Sequence, residues 1–165
     1  MTVDLIMEDA RWETLNLLHI ANAAFEETLS HLNMSSKKFI CCILACNSKK
    51  IKSLNAKFRG KNSCTNVLSF PSAKKNCKVK SSSRFEANVG AFELGDIAIA
   101  YEVCKKEADI SEIDFEHHVY HLVIHSLLHL LGYDHEEEKN AAEMEKIEVQ
   151  VLANIGINNP YLKSL

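Results

Sequence analysis

Apolar residues along the chain recur with two different periods, and the switches between them lay out the elements. TVDLIM near the start alternates weakly, as a short half-exposed strand does, and Leu15, Leu18, Phe25, Leu29 and Leu32 then recur at helical spacing. FICCILAC is short, β-rich and apolar on both faces, the pattern of a central strand covered on both sides. In SKKIKSLNAKFRG, Ser48 stands where an N-cap belongs, Ile51, Leu54 and Phe58 share a helical face, and Gly60 can stop the helix. TNVLSFP predicts a third strand ended by Pro71. GAFELGDIAIA predicts a fourth, in which Gly95 marks a bulge or a close backbone approach. Between these two, the polar, basic run from Ala73 to Asn88 has little periodicity and reads as a mobile loop or loose hairpin.

From Tyr101 onward the pattern is helical. A short helix runs to about Ala108, a second from Ser111 to Leu131 and a third from about Glu137 to Ile155, with Gly132 and Gly156 where C-caps belong. The order βαβαββααα, without internal repeat or linker, predicts one domain over residues 1–165. Its class is α/β (α+β): a four-stranded, mostly mixed sheet packed by about five helices.

At 165 residues and 47% apolar composition, the chain can bury one continuous core without cross-links. No run of about eighteen apolar residues occurs, and the start is acidic where a secretory signal would be basic, so the expectation is a cytoplasmic protein with no membrane partner. The six cysteines form no CxxC pair and three lie within FICCILAC, which favours reduced, mostly buried thiols over disulfides or a second metal. The net charge of −3 hides an asymmetry: residues 28–85 hold 13 of the 19 Lys and Arg and none of the 22 acids. A basic middle invites a polyanionic partner, although folding can also intermix the segments and cancel the charge.

The chemistry is concentrated in HSLLHLLGYDH. His125 and His129 stand four apart on a helix, so their side chains lie about 5–6 Å apart on one face. Gly132 can take the left-handed conformation that ends the helix and folds the chain back, carrying His135 towards the same point. Three neutral imidazoles suit zinc at about 2.0–2.1 Å and leave a fourth position open, which marks a catalytic site at the end of the central helix. His117, His118 and His121 are assigned structural or ligand-supporting roles. The spacing H-x-x-x-H-x-x-G-x-x-H is that of metzincin proteases, but their general base after the first His is replaced by Ser126, which cannot take up a proton near neutral pH.

SLNAKFRGKNSCTNVLSFP, LGDIAIA, LVIHSLLHLLGYDHEEE and AAEMEKIEVQVLANIG together resemble, in order, segments of the YbeY family, over most of residues 48–156. The resemblance implies a single-strand-selective, metal-dependent endoribonuclease of ribosomal RNA maturation, acting at the 3′ end of small-subunit rRNA and in ribosome quality control. It implies the metal ligands His125, His129 and His135, with one Zn2+ per chain, and an essential Arg, here Arg59 in KFRG. Its implied partners are single-stranded RNA, ribosomal RNA and the ribosome or its proteins. The family often has Gly where this chain has Ser126.

Zinc activates water near neutral pH without a separate strong base, and a guanidinium can stabilise charge developing on a phosphoryl group. His125 and Arg59 are therefore the expected catalytic residues. As residues alone, Arg59 reads first as a surface cation capping the helix before Gly60, and the resemblance reverses that reading; Asp134 is a ligand-supporting acceptor, a weak base or a solvated turn residue. TNVLSFP reads either as a cleft wall or as plain core with Asn66 in a turn. The competing functions are a metzincin-like metalloprotease and a non-catalytic, zinc-containing ribosome assembly factor.

Overall fold

Residues 3–72 and 91–162 are described by the computed structural model; the basic segment from Ala73 to Asn88 lies outside them. The run FICCILAC forms β2 (Phe39–Cys46), flanked on one side by β1 (Val3–Met7) and on the other by β4 (Phe92–Ala100), with β3 (Val67–Pro71) at the far edge. β1, β2 and β4 are parallel, whereas β3 runs antiparallel to β4, so the sheet is mixed. Both faces of β2 are covered, which is why it is apolar throughout. Cys41, Ile43 and Ala45 join the larger core beneath α1 (Leu17–His31), α4 (Phe115–Leu130) and α5 (Glu138–Asn154). Cys46 and Leu44 join a smaller core with Ile51 and Leu54 of α2 (Ser48–Arg59). The fifth helix, α3 (Tyr101–Ile110), follows directly on β4.

Two boundaries and the environment of one side chain differ from the sequence pattern. Asn47, not Ser48, caps α2, its side chain accepting from the Lys50 amide. The helix expected from Ser111 starts at Phe115, because Glu112 takes a left-handed φ of 53° and Asp114 supplies the cap, accepting from the His117 amide at 3.0 Å. Phe58 shares the face of Ile51 but remains 58% exposed, its ring edge-on to Phe70 of β3. A 3₁₀ turn at Ala10–Leu15 precedes α1 and buries Trp12, whose indole N–H donates to the Cys46 carbonyl at 3.1 Å. This bond ties the entry of α1 to the end of β2.

Of the six cysteines, Cys41, Cys46 and Cys104 are buried, Cys42 is half-buried and Cys64 exposed, and none of these five is in a disulfide. Burial pushes the Cys41 and Cys46 thiols up to about 12, leaving them protonated and inert.

Gly95 satisfies both meanings of a glycine inside a strand. The register shifts from Ile40↔Glu93 to Cys41↔Gly95, so β4 carries one residue more than β2 there. The extra residue lets Leu94 and Ile97, three apart, face the same core, which a regular strand forbids. Gly95 itself has φ 132°, and a Cβ on it would lie 2.1 Å from the Phe70 carbonyl oxygen. Gly95→Ala should therefore cost about 2 kcal/mol or more of stability, read as a lower urea midpoint at unchanged slope. A wild-type midpoint would show that β3 and β4 do not need this close approach.

Candidate metal centre

α4 is buried on most of its circumference, packed against α1, α3, α5 and two strands. Its remaining face carries His121, His125 and His129 on successive turns. The helix ends in a Schellman motif: Gly132, at φ 91°, donates to the His129 carbonyl at 3.0 Å and Tyr133 to that of Leu128 at 2.9 Å. The reversal carries His135 back against the helix. Its ring centroid lies 5.4 Å from that of His125 and 5.0 Å from that of His129, and these two are 4.6 Å apart. One ring nitrogen from each of the three falls within 4.8 Å of the other two, the only such group of metal-binding side chains among the described residues.

Hydrogen bonds fix which nitrogens face inward. His129 Nδ1 lies 3.0 Å from the Tyr133 carbonyl, which can only accept, so Nδ1 carries the proton and Nε2 a lone pair. The turn that ends the helix thus also orients a ligand. His125 Nδ1 lies 2.7 Å from Glu148 Oε1, again leaving Nε2 as the lone pair. The two Nε2 atoms are 3.1 Å apart, close to the roughly 3.3 Å between two nitrogens bound tetrahedrally at about 2.0–2.1 Å. Burial, and then the neighbouring His125 and His135, push the His129 imidazole down to about 4, so it offers a lone pair at neutral pH. The positions of the three rings, the tautomers of His125 and His129 and the neutral state of His129 fit a metal ion with the coordination chemistry of zinc.

Glu148 is the functional residue that the motifs alone do not reveal. It is 1% exposed on the inner face of α5, among Met144, Ile147, Val151 and Leu152. Its Oε1 accepts from His125, and its Oε2 accepts from His121 at 3.0 Å and from the Tyr161 hydroxyl. Burial alone pushes the Glu148 carboxyl up, but these three hydrogen bonds outweigh it and hold the group at about 2. His121 therefore serves the ligands through Glu148. A readable signal existed: an acid in the apolar register of an amphipathic helix.

A cleft of about 260 Å³ opens over the three imidazoles. Its opposite wall is β3, contributing Asn66, Val67 and Ser69, so TNVLSFP is the cleft wall. Asn66 sets the strand in place: its side chain accepts from the Val67 amide at 2.7 Å and donates to Glu107 at 3.0 Å, and Glu107 in turn meets His118 at 2.9 Å. Arg59, the exposed last residue of α2, also lines the cleft, at the end of the helix that Gly60 stops in the left-handed conformation. Of the other candidates, His117 is exposed and contributes only its capped amide, and Asp134 is a turn residue that accepts from the Glu136 amide. Ser126 is 0% exposed, its hydroxyl buried without a hydrogen-bond partner among the described residues, and it does not line the cleft.

A family model described as "Endoribonuclease YbeY" matches residues 4–156. The "Endoribonuclease YbeY" of Jannaschia sp. (strain CCS1) is 38% identical over 161 residues, covering 98% of this chain and 100% of that protein. That of Ruegeria pomeroyi is 41% identical over 164 residues, covering 98% of each. Among solved structures, the solution structure of TM1509 from Thermotoga maritima shares the fold, with a TM-score of 0.56 at 21% identity over 93% of this chain and 91% of that one. With the match running through the sheet, the three histidines and Glu148, this chain belongs to the YbeY family.

Proposed function

We propose that this protein is a zinc-dependent, single-strand-selective RNA endonuclease. It acts in the cytoplasm on ribosomal RNA, in maturation of the small-subunit 3′ end and in ribosome quality control, together with the ribosome or its proteins. The observation that carries this reading is the convergence of three imidazoles on one point in a cleft that Arg59 also lines. Family membership supports RNA as the substrate.

His125, His129 and His135 would hold one zinc ion, which when bound would supply Lewis-acid activation of water near neutral pH. Glu148 and the Tyr133 carbonyl keep His125 and His129 in the ligating tautomer, as acceptors behind metal-binding histidines do. Arg59 grips the scissile phosphate through two of its guanidinium N–H groups and stabilises the charge that builds on the phosphoryl oxygens. An unpaired strand can turn its bases aside and push one phosphate into the cleft, which the rigid surface of a duplex resists. Exposed Lys52, Lys57 and Lys61 near Arg59 would hold the flanking backbone. The burial of Ser126 argues against peptide hydrolysis, because the position that carries the protease base does not face the cleft here.

The broad test is whether purified protein cleaves single-stranded RNA and leaves duplex RNA and casein intact; cleavage of casein alone would reverse the reading. The metal centre is tested by zinc titration against a chromophoric chelator. His129→Ala should lose stoichiometric binding, and Glu148→Gln, which keeps all three ligands but removes the buried charge, should bind roughly 10–100-fold more weakly. Full occupancy in His129→Ala would rule out this ligand set.

Arg59 is tested separately by single-turnover cleavage at saturating enzyme, which removes substrate binding from the rate. Arg59→Ala should keep its zinc yet cleave roughly a hundredfold or more slowly, and Arg59→Lys should recover little, because an ammonium lacks the bidentate fork. A wild-type rate in Arg59→Ala would reduce this residue to a binding contact.

A further inference from the structure

α5 ends as α4 does. Gly156, at φ 79°, donates to the Ala153 carbonyl at 3.0 Å, and Ile157 to that of Leu152 at 2.9 Å, with the Ile157 side chain buried against the core. The chain then turns at Asn159-Pro160-Tyr161. The Asn159 side chain accepts from the Tyr161 amide at 2.9 Å, and Pro160 fixes the backbone between them. This double reversal brings Tyr161 to the rim of the metal cleft. Its hydroxyl donates to Glu148 and lies 3.2 Å from His121 Nε2, and its ring stands edge-on to His121 with centroids 5.5 Å apart. Burial and the Glu148 carboxylate push the phenol upward, so it stays a protonated donor.

Tyr161 is nevertheless 43% exposed. Its hydroxyl end is held by a buried carboxylate and one side of the ring packs against His121, while the exposed part of the residue faces solvent at the cleft rim. It also lies beyond residues 4–156, which the family model matches. An aromatic ring whose rotation is stopped by a hydrogen bond has little conformational entropy left to lose on binding. Bases of an unpaired strand stack on such rings without regard to sequence, whereas paired bases are already stacked on one another.

We propose that Tyr161 is a stacking platform for an unpaired base next to the scissile phosphate, and that it contributes to selection of single strands. The proposal rests on the reading of the cleft as an RNA-cleavage site. In this arrangement Arg59 and Tyr161 divide the substrate: the guanidinium takes the phosphate and the phenol ring takes a base.

The test is single-turnover cleavage of a short unpaired oligoribonucleotide over a range of concentrations of zinc-loaded protein, with Tyr161→Leu and Tyr161→Phe alongside wild type. Tyr161→Leu should raise half-saturation by about fivefold or more, and by a larger factor than it lowers the maximal rate. Tyr161→Phe, which keeps the ring and loses the hydroxyl, should recover most of that loss. The same oligomers with single abasic riboses locate the partner base. One abasic position should weaken wild type by a similar factor and Tyr161→Leu hardly at all, the signature of a direct pair. Additive effects, or a Tyr161→Phe variant as impaired as Tyr161→Leu, would overturn stacking and leave the hydroxyl bond to Glu148 as the function of the residue. Absence of cleavage by wild-type protein would overturn the functional reading and this proposal with it.

Discussion

Two imidazole lone pairs pointed at each other across 3.1 Å repel, and a third ring stands about 5 Å from both. Anchoring the outward nitrogens holds such a group in place, and a cation bound between the rings would offset the repulsion. Here the anchors are a carbonyl on the turn after α4 and a carboxylate buried in α5. The core that packs α4 against α1, α5 and the sheet therefore also holds the donor geometry. Glu148 has the largest share, since one side chain accepts from His121, His125 and Tyr161 at once. A carboxylate buried this far would cost several kcal/mol without partners and is kept ionised by having three.

The same backbone device builds both sides of the centre. Gly132 and Gly156 each end a long helix in a left-handed conformation, and each sends the chain back towards the cleft, the first carrying His135 and the second Tyr161. Local sequence thus decides a tertiary result, because only a reversal at that residue brings side chains near the chain end to a helix face. The opposite wall depends on a different constraint. β3 can stand beside α4 only if its backbone passes close to Gly95 of β4, and the Asn66–Glu107–His118 contacts then fix where the strand begins.

Much of this was legible along the chain, for identifiable reasons. The four strands and five helices follow from period, and the three histidines from a spacing of four plus a glycine, all local features. Gly95 was readable as an anomaly within a strand pattern. The start of α4 was not, because apolar spacing continues through residues 111–114 while the left-handed Glu112 and the Asp114 cap interrupt the helix. Glu148 showed only as an acid in the apolar register of a helix and Tyr161 not at all, since their roles come from contacts with His121 and His125 made across the fold, 23 to 40 positions away in sequence. The basic middle of the chain is partly explained. Lys50 is paired with Glu8, whereas Lys52, Lys57, Arg59 and Lys61 stay exposed along α2 and just after it, and of these Arg59 lines the cleft.

Three imidazoles, and no thiolate, are the donor set proposed for the metal. The most direct measurement is X-ray absorption spectroscopy of the protein loaded with one equivalent of zinc. The spectrum should show three imidazole nitrogens and one further light donor at about 2.0–2.1 Å, without sulfur. A sulfur shell at about 2.3 Å, or fewer than three imidazoles, would contradict that donor set.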